Sequence, residues 1–116
     1  MQKLLTKKRA LEIIAGFPRA GVLVIGDVMV DHFIWGNVSR ISPEAPVPVV
    51  DVQKDNILLG GCTNVLNNIH SMGGRAYVSG VVGADTIGKQ LLAELNDRKI
   101  ETKGIVVKKD RPTTLK

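Results

Sequence analysis

Apolar residues in this chain gather into short runs separated by glycine, proline and polar clusters, and the spacing inside each run sorts strands from helices. Val22-Leu23-Val24-Ile25 is continuous and closes at Gly26-Asp27, which predicts a central strand buried on both faces. Residues 32 to 38 alternate weakly through Phe33 and Trp35, and Val47-Pro48-Val49-Val50-Asp51-Val52 follows the turn-rich Ser42-Pro43-Glu44-Ala45-Pro46. Pro46 and Pro48 cannot donate ladder hydrogen bonds, so this second run belongs at a sheet edge or in a separate small sheet, as a lid or as a plain surface hairpin. Val65, Leu66, Ile69 and Met72 share a helical face, with Thr63 the predicted N-cap and Gly73-Gly74 the stop. Ala76 to Val82 predicts a strand closing at Gly83. Asp85 then caps a helix whose apolar face is Ile87, Leu91, Leu92 and Leu95, and Ile105-Val106-Val107 is the next strand. Strands alternating with helices imply parallel pairing and the α/β class.

The two ends read differently. Leu4, Leu5, Leu11, Ile14 and Ala15 predict a short amphipathic helix stopped by Gly16 and Pro18, packing as an N-terminal extension over residues 1–20. Pro112-Thr113-Thr114-Leu115-Lys116 reads as a turn entering a strand that is cut off, so residues 21–116 are expected to be the N-terminal part of a longer domain, with lid strands at about 32–54.

Charge and composition narrow the classes. Sixteen basic against eleven acidic residues give a net charge of +5, but aromatic residues make up only 3%. The basic residues cluster at 3–9 and 103–116, without the interleaved stacking platform a nucleic-acid binder needs, so a solvated face is expected and no nucleic-acid partner. A single cysteine, Cys62, excludes an internal disulfide pair and fits a reducing cytoplasm. No apolar run approaches the roughly 20 residues that span a bilayer, so no membrane partner is expected. His32 and His70 lack companions at metal-ligand spacing, and Cys62 lacks a base partner, which leaves it as a turn-packing residue and leaves no metal site expected.

Neither the Gly-x-Gly-x-x-Gly dinucleotide signature nor a Gly-x-x-x-x-Gly-Lys-Ser/Thr phosphate loop occurs. Three stretches remain: Gly26-Asp27 with Asp31 after the first strand, Gly60-Gly61 with Asn64 at a helix start, and Gly83 with Asp85 and Gly88 after the next strand. Carboxylates accept hydrogen bonds from hydroxyls, an amide donates and accepts, and bare glycine backbone admits a flat polyol. Together they predict a polyol pocket, although a glycine pair alone is equally a tight loop between a strand and a core helix.

These residues resemble the ribokinase-like (PfkB) carbohydrate kinase family from about Gly21 onward, in its N-terminal portion only. The Gly60-Gly61-x-x-Asn64 stretch looks like the family's first signature, with Cys62 and Leu66 departing from its usual small residues. Gly26 to Asp31, Trp35-Gly36 and above all Ser39 to Val50 are similar to the branch that phosphorylates D-glycero-β-D-manno-heptose 7-phosphate at its anomeric hydroxyl, a step toward ADP-heptose and the lipopolysaccharide core. The resemblance implies a three-layer α/β/α fold with a small β-sheet lid, an ATP- and Mg²⁺-dependent transfer, and a homodimer formed through the lid strands. It also implies that Asp31, Gly60, Gly61 and Asn64 hold the sugar, with Asp27 assisting. A phosphorylated substrate needs a cation, for which Arg40 and Lys116 are the candidates. The family's base, the Asp of a Gly-Ala-Gly-Asp stretch, does not occur, so no catalytic residue is expected before Lys116 and the segment alone is expected to be inactive. The alternatives are another sugar or nucleoside kinase of the same family and a non-catalytic dimerisation or binding module.

Overall fold

The computed structural model describes residues 5–116. Its elements run α1 (Lys7–Ala15), a 3-10 turn (Phe17–Arg19), β1 (Gly21–Ile25), β2 (Val28–Ile41), β3 (Pro48–Gly60), α2 (Gly61–Ser71), β4 (Arg75–Gly83), α3 (Thr86–Asp97), β5 (Ile105–Lys108) and β6 (Thr114–Leu115). Two three-stranded sheets result. The first is parallel, in the order β1-β4-β5, and the second, β3-β2-β6, pairs β2 antiparallel to β3 and parallel to β6.

The core lies between the first sheet and the helices. Leu66 of α2 and Leu91 and Leu95 of α3 meet Val78 and Val82 of β4 and Val28 and Val30 at the base of β2. The 3.6-residue period of each helix puts these leucines on one stripe, and the two-residue period of β4 puts Ala76 and Val78 on the same side. The opposite side of the sheet is open. Leu23 and Tyr77 are register partners there, with Ile25 74% exposed and Val106 55%. The expectation that β1 is central and buried on both faces is therefore corrected: β1 pairs with β4 alone and forms a sheet edge, with helices on one face only. Continuous apolar runs record a strand's need for two covers, and here one cover is present.

The lid strands are longer than their sequence pattern indicates. β2 and β3 form a 14- and 13-residue ribbon joined by a proline-rich loop, with register shifts at Trp35/Gly36 and Val38/Arg40. Each shift inserts an unpaired residue and adds local twist. As expected, Pro48 opens β3, which has a free outer edge. The ribbon makes the chain long: its radius of gyration is 19.5 Å, against roughly 13 Å for a compact domain of this length.

Two local expectations change. Helix α2 begins at Gly61 with Gly60 as N-cap. Thr63 lies inside the first turn and is buried, its hydroxyl directed to the Gly60 carbonyl at 2.6 Å and the Met29 carbonyl at 3.0 Å. Of the α2 stripe, Leu66 is buried and Ile69 half-buried, but Val65 and Met72 are exposed. Helix α1 is capped by Thr6, whose hydroxyl accepts from the Arg9 amide at 3.2 Å, and none of its residues is fully buried. Leu4, part of its expected face, lies outside the described residues.

Candidate functional site

Gly60 and Gly61 stand where β3 passes directly into α2, and both are required by what lies against them. Gly60 is the register partner of Met29, and a Cβ on it would meet the Asp31 carboxylate at 2.8–3.0 Å. Gly61 has φ +51°, and a Cβ there would lie 2.6 Å from the Asp27 carbonyl. That carbonyl accepts from the Cys62 amide at 3.0 Å, tying the β1–β2 turn to the start of α2. Asp27, Asp31, Gly60 and Gly61, singled out separately in the sequence, are thus gathered at one corner of the fold.

Lys116 joins them. It lies beyond β6 in the same parallel register, donating its amide to the Val30 carbonyl at 3.0 Å while the His32 amide donates to the Lys116 carbonyl at 2.7 Å. Its ammonium stands 2.8 Å from Asp31 Oδ1. The Asp31 side chain is 19% exposed and the Lys116 side chain 72%, so the pair is sheltered on the carboxylate side and open on the ammonium side. Asp31 Oδ1 is buried and accepts no other hydrogen bond among the described residues. Asp31 belongs to β2, not to the loop after β1, because the strand begins at Val28.

Two candidates are placed differently. Asn64 is exposed in the first turn of α2, with no hydrogen bond among the described residues holding its amide. Arg40 lies nine residues along β2 from Asp31, roughly 30 Å at strand rise, and opposite Val49 near the loop. It does not share the corner with Asp31 in one chain.

The third stretch forms a clamp instead of a pocket wall. Asp85 caps α3, accepting from the Gly88 amide at 2.7 Å, and also accepts from the Thr113 amide and hydroxyl, both at 2.7 Å. The Thr113 hydroxyl in turn accepts from the Gly83 amide at 3.0 Å. The Thr113 amide and hydroxyl, then the Gly88 amide, hold the Asp85 carboxyl below its ordinary value. With these bonds made, Asp85 positions residues 111–116 and is not available to a polyol. The Asp85 cap was legible in the sequence; Thr113, 28 residues away, carried no local signal. Burial, and then the neighbouring Asp27 carboxylate, push the Cys62 thiol above its ordinary value, consistent with a packing role. His32 is not a bare surface histidine: its Nε2 lies 3.0 Å from Asp55 Oδ2 across the ribbon.

A recess of about 110 Å³ opens past the carboxyl end of β1, beside the second half of β4, lined by Gly26, Asp27, Gly80, Arg111 and Thr114. In open α/β sheets the ends of parallel strands are where ligands bind. A larger groove of about 470 Å³ between β3 and α3 contains Leu59, Leu91, Glu94 and Arg98, but Arg98 is engaged by Glu94 at 2.6 Å and none of the gathered residues faces it. Among the described residues no three His, Cys, Asp or Glu side chains come together to hold a metal ion.

Comparison with known proteins bears on the family and the fold. Residues 19–116 match the pfkB family carbohydrate kinase pattern. The chain belongs to the pfkB carbohydrate kinase family. It is 46% identical over 104 residues to Bifunctional protein HldE of Wolinella succinogenes, covering 90% of this chain and 22% of the relative. It is 50% identical over 95 residues to Bifunctional protein HldE of Helicobacter pylori strain P12, covering 82% and 21%. The chain thus spans about a fifth of the length of these curated relatives. Its fold is similar to that of Halothermothrix orenii fructokinase (TM-score 0.62, 26% identity, 83% of this chain and 32% of that one). It is also similar in fold to the Methanocaldococcus jannaschii nucleoside kinase, an archaeal member of the ribokinase family (TM-score 0.65, 17% identity, 82% and 31%). The mixed α/β chain, with its parallel sheet and its separate lid sheet, is consistent with the expected N-terminal part of a ribokinase-like fold with a small β-sheet lid, here with helices on one face of the parallel sheet.

Proposed function

We propose that this pfkB-family chain forms the sugar-binding part and lid of an ATP- and Mg²⁺-dependent kinase that phosphorylates the anomeric hydroxyl of D-glycero-β-D-manno-heptose 7-phosphate, toward ADP-heptose. The observation that carries the sugar site is the Asp31 carboxylate, seated against Gly60 and sheltered, with an acceptor oxygen that among the described residues only Lys116 approaches. A sheltered carboxylate of this kind accepts hydrogen bonds from sugar hydroxyls at close to full strength, because little water competes. Asp27 and the Gly60-Gly61 backbone border the same space, and Asn64 is carried as an expected sugar contact from the exposed first turn of α2. The identity to the two HldE proteins supports heptose over other sugars.

In this reading the residues of this chain bind and orient the sugar, and no acid–base step is assigned to them. The lid ribbon supports a homodimer. Its apolar side chains Phe33, Ile34, Trp35, Val38 and Ile41 are 43–62% exposed, and β3 has a free edge that a second copy can cover. Among the described residues no helix is long and apolar enough to cross a membrane, and the lone Cys62 fits a cytoplasmic setting.

A coupled ADP-release assay tests the activity, run on this chain and on a fusion continuing it into the remainder of the Helicobacter pylori HldE protein. The panel is heptose 7-phosphate, fructose 6-phosphate, ribose and adenosine. Selective turnover of the heptose phosphate by the fusion and none by the 116-residue chain is expected. Turnover of another panel member would move the substrate, and turnover by the chain alone would overturn its assignment as a binding part.

A further inference from the structure

Resting on the sugar-phosphate reading above, we propose that Arg111 is the residue that receives the substrate's fixed phosphate, in the recess between Gly26, Gly80 and Thr114. Lys116 and Arg111 differ in what already engages them. Lys116 has a carboxylate partner, Asp31, at 2.8 Å. Arg111 has no carboxylate partner among the described residues: its Nε reaches the Pro112 carbonyl at 3.5 Å and its Nη2 the Thr114 hydroxyl at 3.4 Å, both long contacts to neutral oxygens. A guanidinium so placed keeps most of its donor fork for an incoming anion.

The backbone presenting Arg111 is fixed in advance. The Arg111 carbonyl packs against Gly83 so closely that a Cβ there would lie 2.6 Å away, and two residues on Thr113 is held by Asp85 and Gly83. An anion site on a pinned segment loses less ordering entropy on binding than one on a free loop.

The recess also selects against a bare anion. Asp27 lines it together with Arg111, so inorganic phosphate would meet a carboxylate on one side. A ligand carrying hydroxyls as well as a phosphate satisfies both groups: Asp27 accepts from a hydroxyl and Arg111 donates to the phosphate. Thr114, whose hydroxyl is the nearer of the two Arg111 contacts, lies one residue before Leu115 and two before Lys116, on the Lys116 side of β6. Arg111, Thr114, Lys116 and Asp31 therefore form a continuous line from the recess to the sugar corner. Phosphorylated sugars, not free sugars or free phosphate, match that line.

The test is a titration of the ¹⁵N-labelled 116-residue chain followed by NMR, using sedoheptulose 7-phosphate, sedoheptulose and inorganic phosphate as probes. The variants are Arg111→Gln and Arg111→Lys; Arg111 is exposed, and an unchanged amide spectrum verifies that each variant keeps the fold. In the wild type the sugar phosphate is expected to bind roughly tenfold or more tightly than the free sugar, with inorganic phosphate weaker than either. Arg111→Gln removes the preference while leaving free-sugar affinity unchanged, and Arg111→Lys restores part of it. Phosphate preference surviving in Arg111→Gln overturns the assignment and leaves the sugar site standing. Failure of the wild type to bind either sugar overturns both.

Discussion

The base of the β2–β3 ribbon and its outer half are one continuous hairpin with opposite surroundings. At the base, Val28 and Val30 are buried against α2 and α3, Gly60 is buried, and Asp31 is sheltered. Beyond His32 the same β2 strand has every residue exposed to Ile41. Both halves are rich in apolar residues, so composition does not separate them; cover does. Total accessible surface is 8639 Å², against roughly 6,200 Å² for a folded monomer of 12.5 kDa. That excess exceeds what one partner contributes to a standard interface, about 800 Å². Where the chain supplies its own cover it fixes the corner around Asp31, and where it does not it leaves apolar surface exposed.

The largest expected effect tests this difference directly. Leu66→Ala and Leu95→Ala remove fully buried side chains and should each cost about 2–5 kcal/mol in urea unfolding. Ile34→Ala, on the outer ribbon at 56% exposure, should stay within about 0.5 kcal/mol at dilute concentration. Similar losses at all three positions would erase the distinction between base and ribbon.

A smaller effect concerns the Asp85–Thr113 clamp. Because the folded carboxyl titrates below its unfolded value of about 3.9, its contribution is present above that value and is lost as pH falls through the lowered folded range. Acid unfolding of the wild type should therefore show a falling stability below about pH 5 that Asp85→Asn flattens. Identical acid profiles would mean that the clamp bonds contribute nothing.

The smallest effect sits at the corner itself. Asp27→Asn removes the negative charge that, after burial, keeps the Cys62 thiol protonated. Reaction of Cys62 with a disulfide reagent at pH 8 should then speed up several-fold, since the thiolate is the reactive form. An unchanged rate would mean that the Asp27 carboxylate does not act on the thiol.

Much of this architecture was legible in the sequence, for reasons that are local. The Asp85 cap, the Leu91 and Leu95 stripe, the Gly73 stop with φ +85° and the edge placement of Pro48 each follow from a residue and its near neighbours. The glycine pair was legible as a close approach, though not what approached it: Asp31 reaches Gly60 only because the β2–β3 register sets them side by side. Long-range partners carried no sequence signal. Thr113 on Asp85, Lys116 on Asp31 and Arg111 at the recess all depend on β6 joining the ribbon sheet and not the parallel one. The buried reading of β1 erred because an apolar run reports which faces need cover, not whether this chain provides it.

Calorimetric titration of heptose 7-phosphate into the 116-residue chain tests the central claim most directly, with Asp31→Asn compared against Asp97→Asn, an equal charge change on the exposed end of α3. Asp31→Asn is expected to lose roughly tenfold or more in affinity, with Asp97→Asn unchanged. Equal affinities in the two variants would contradict a sugar site at the covered base of the ribbon.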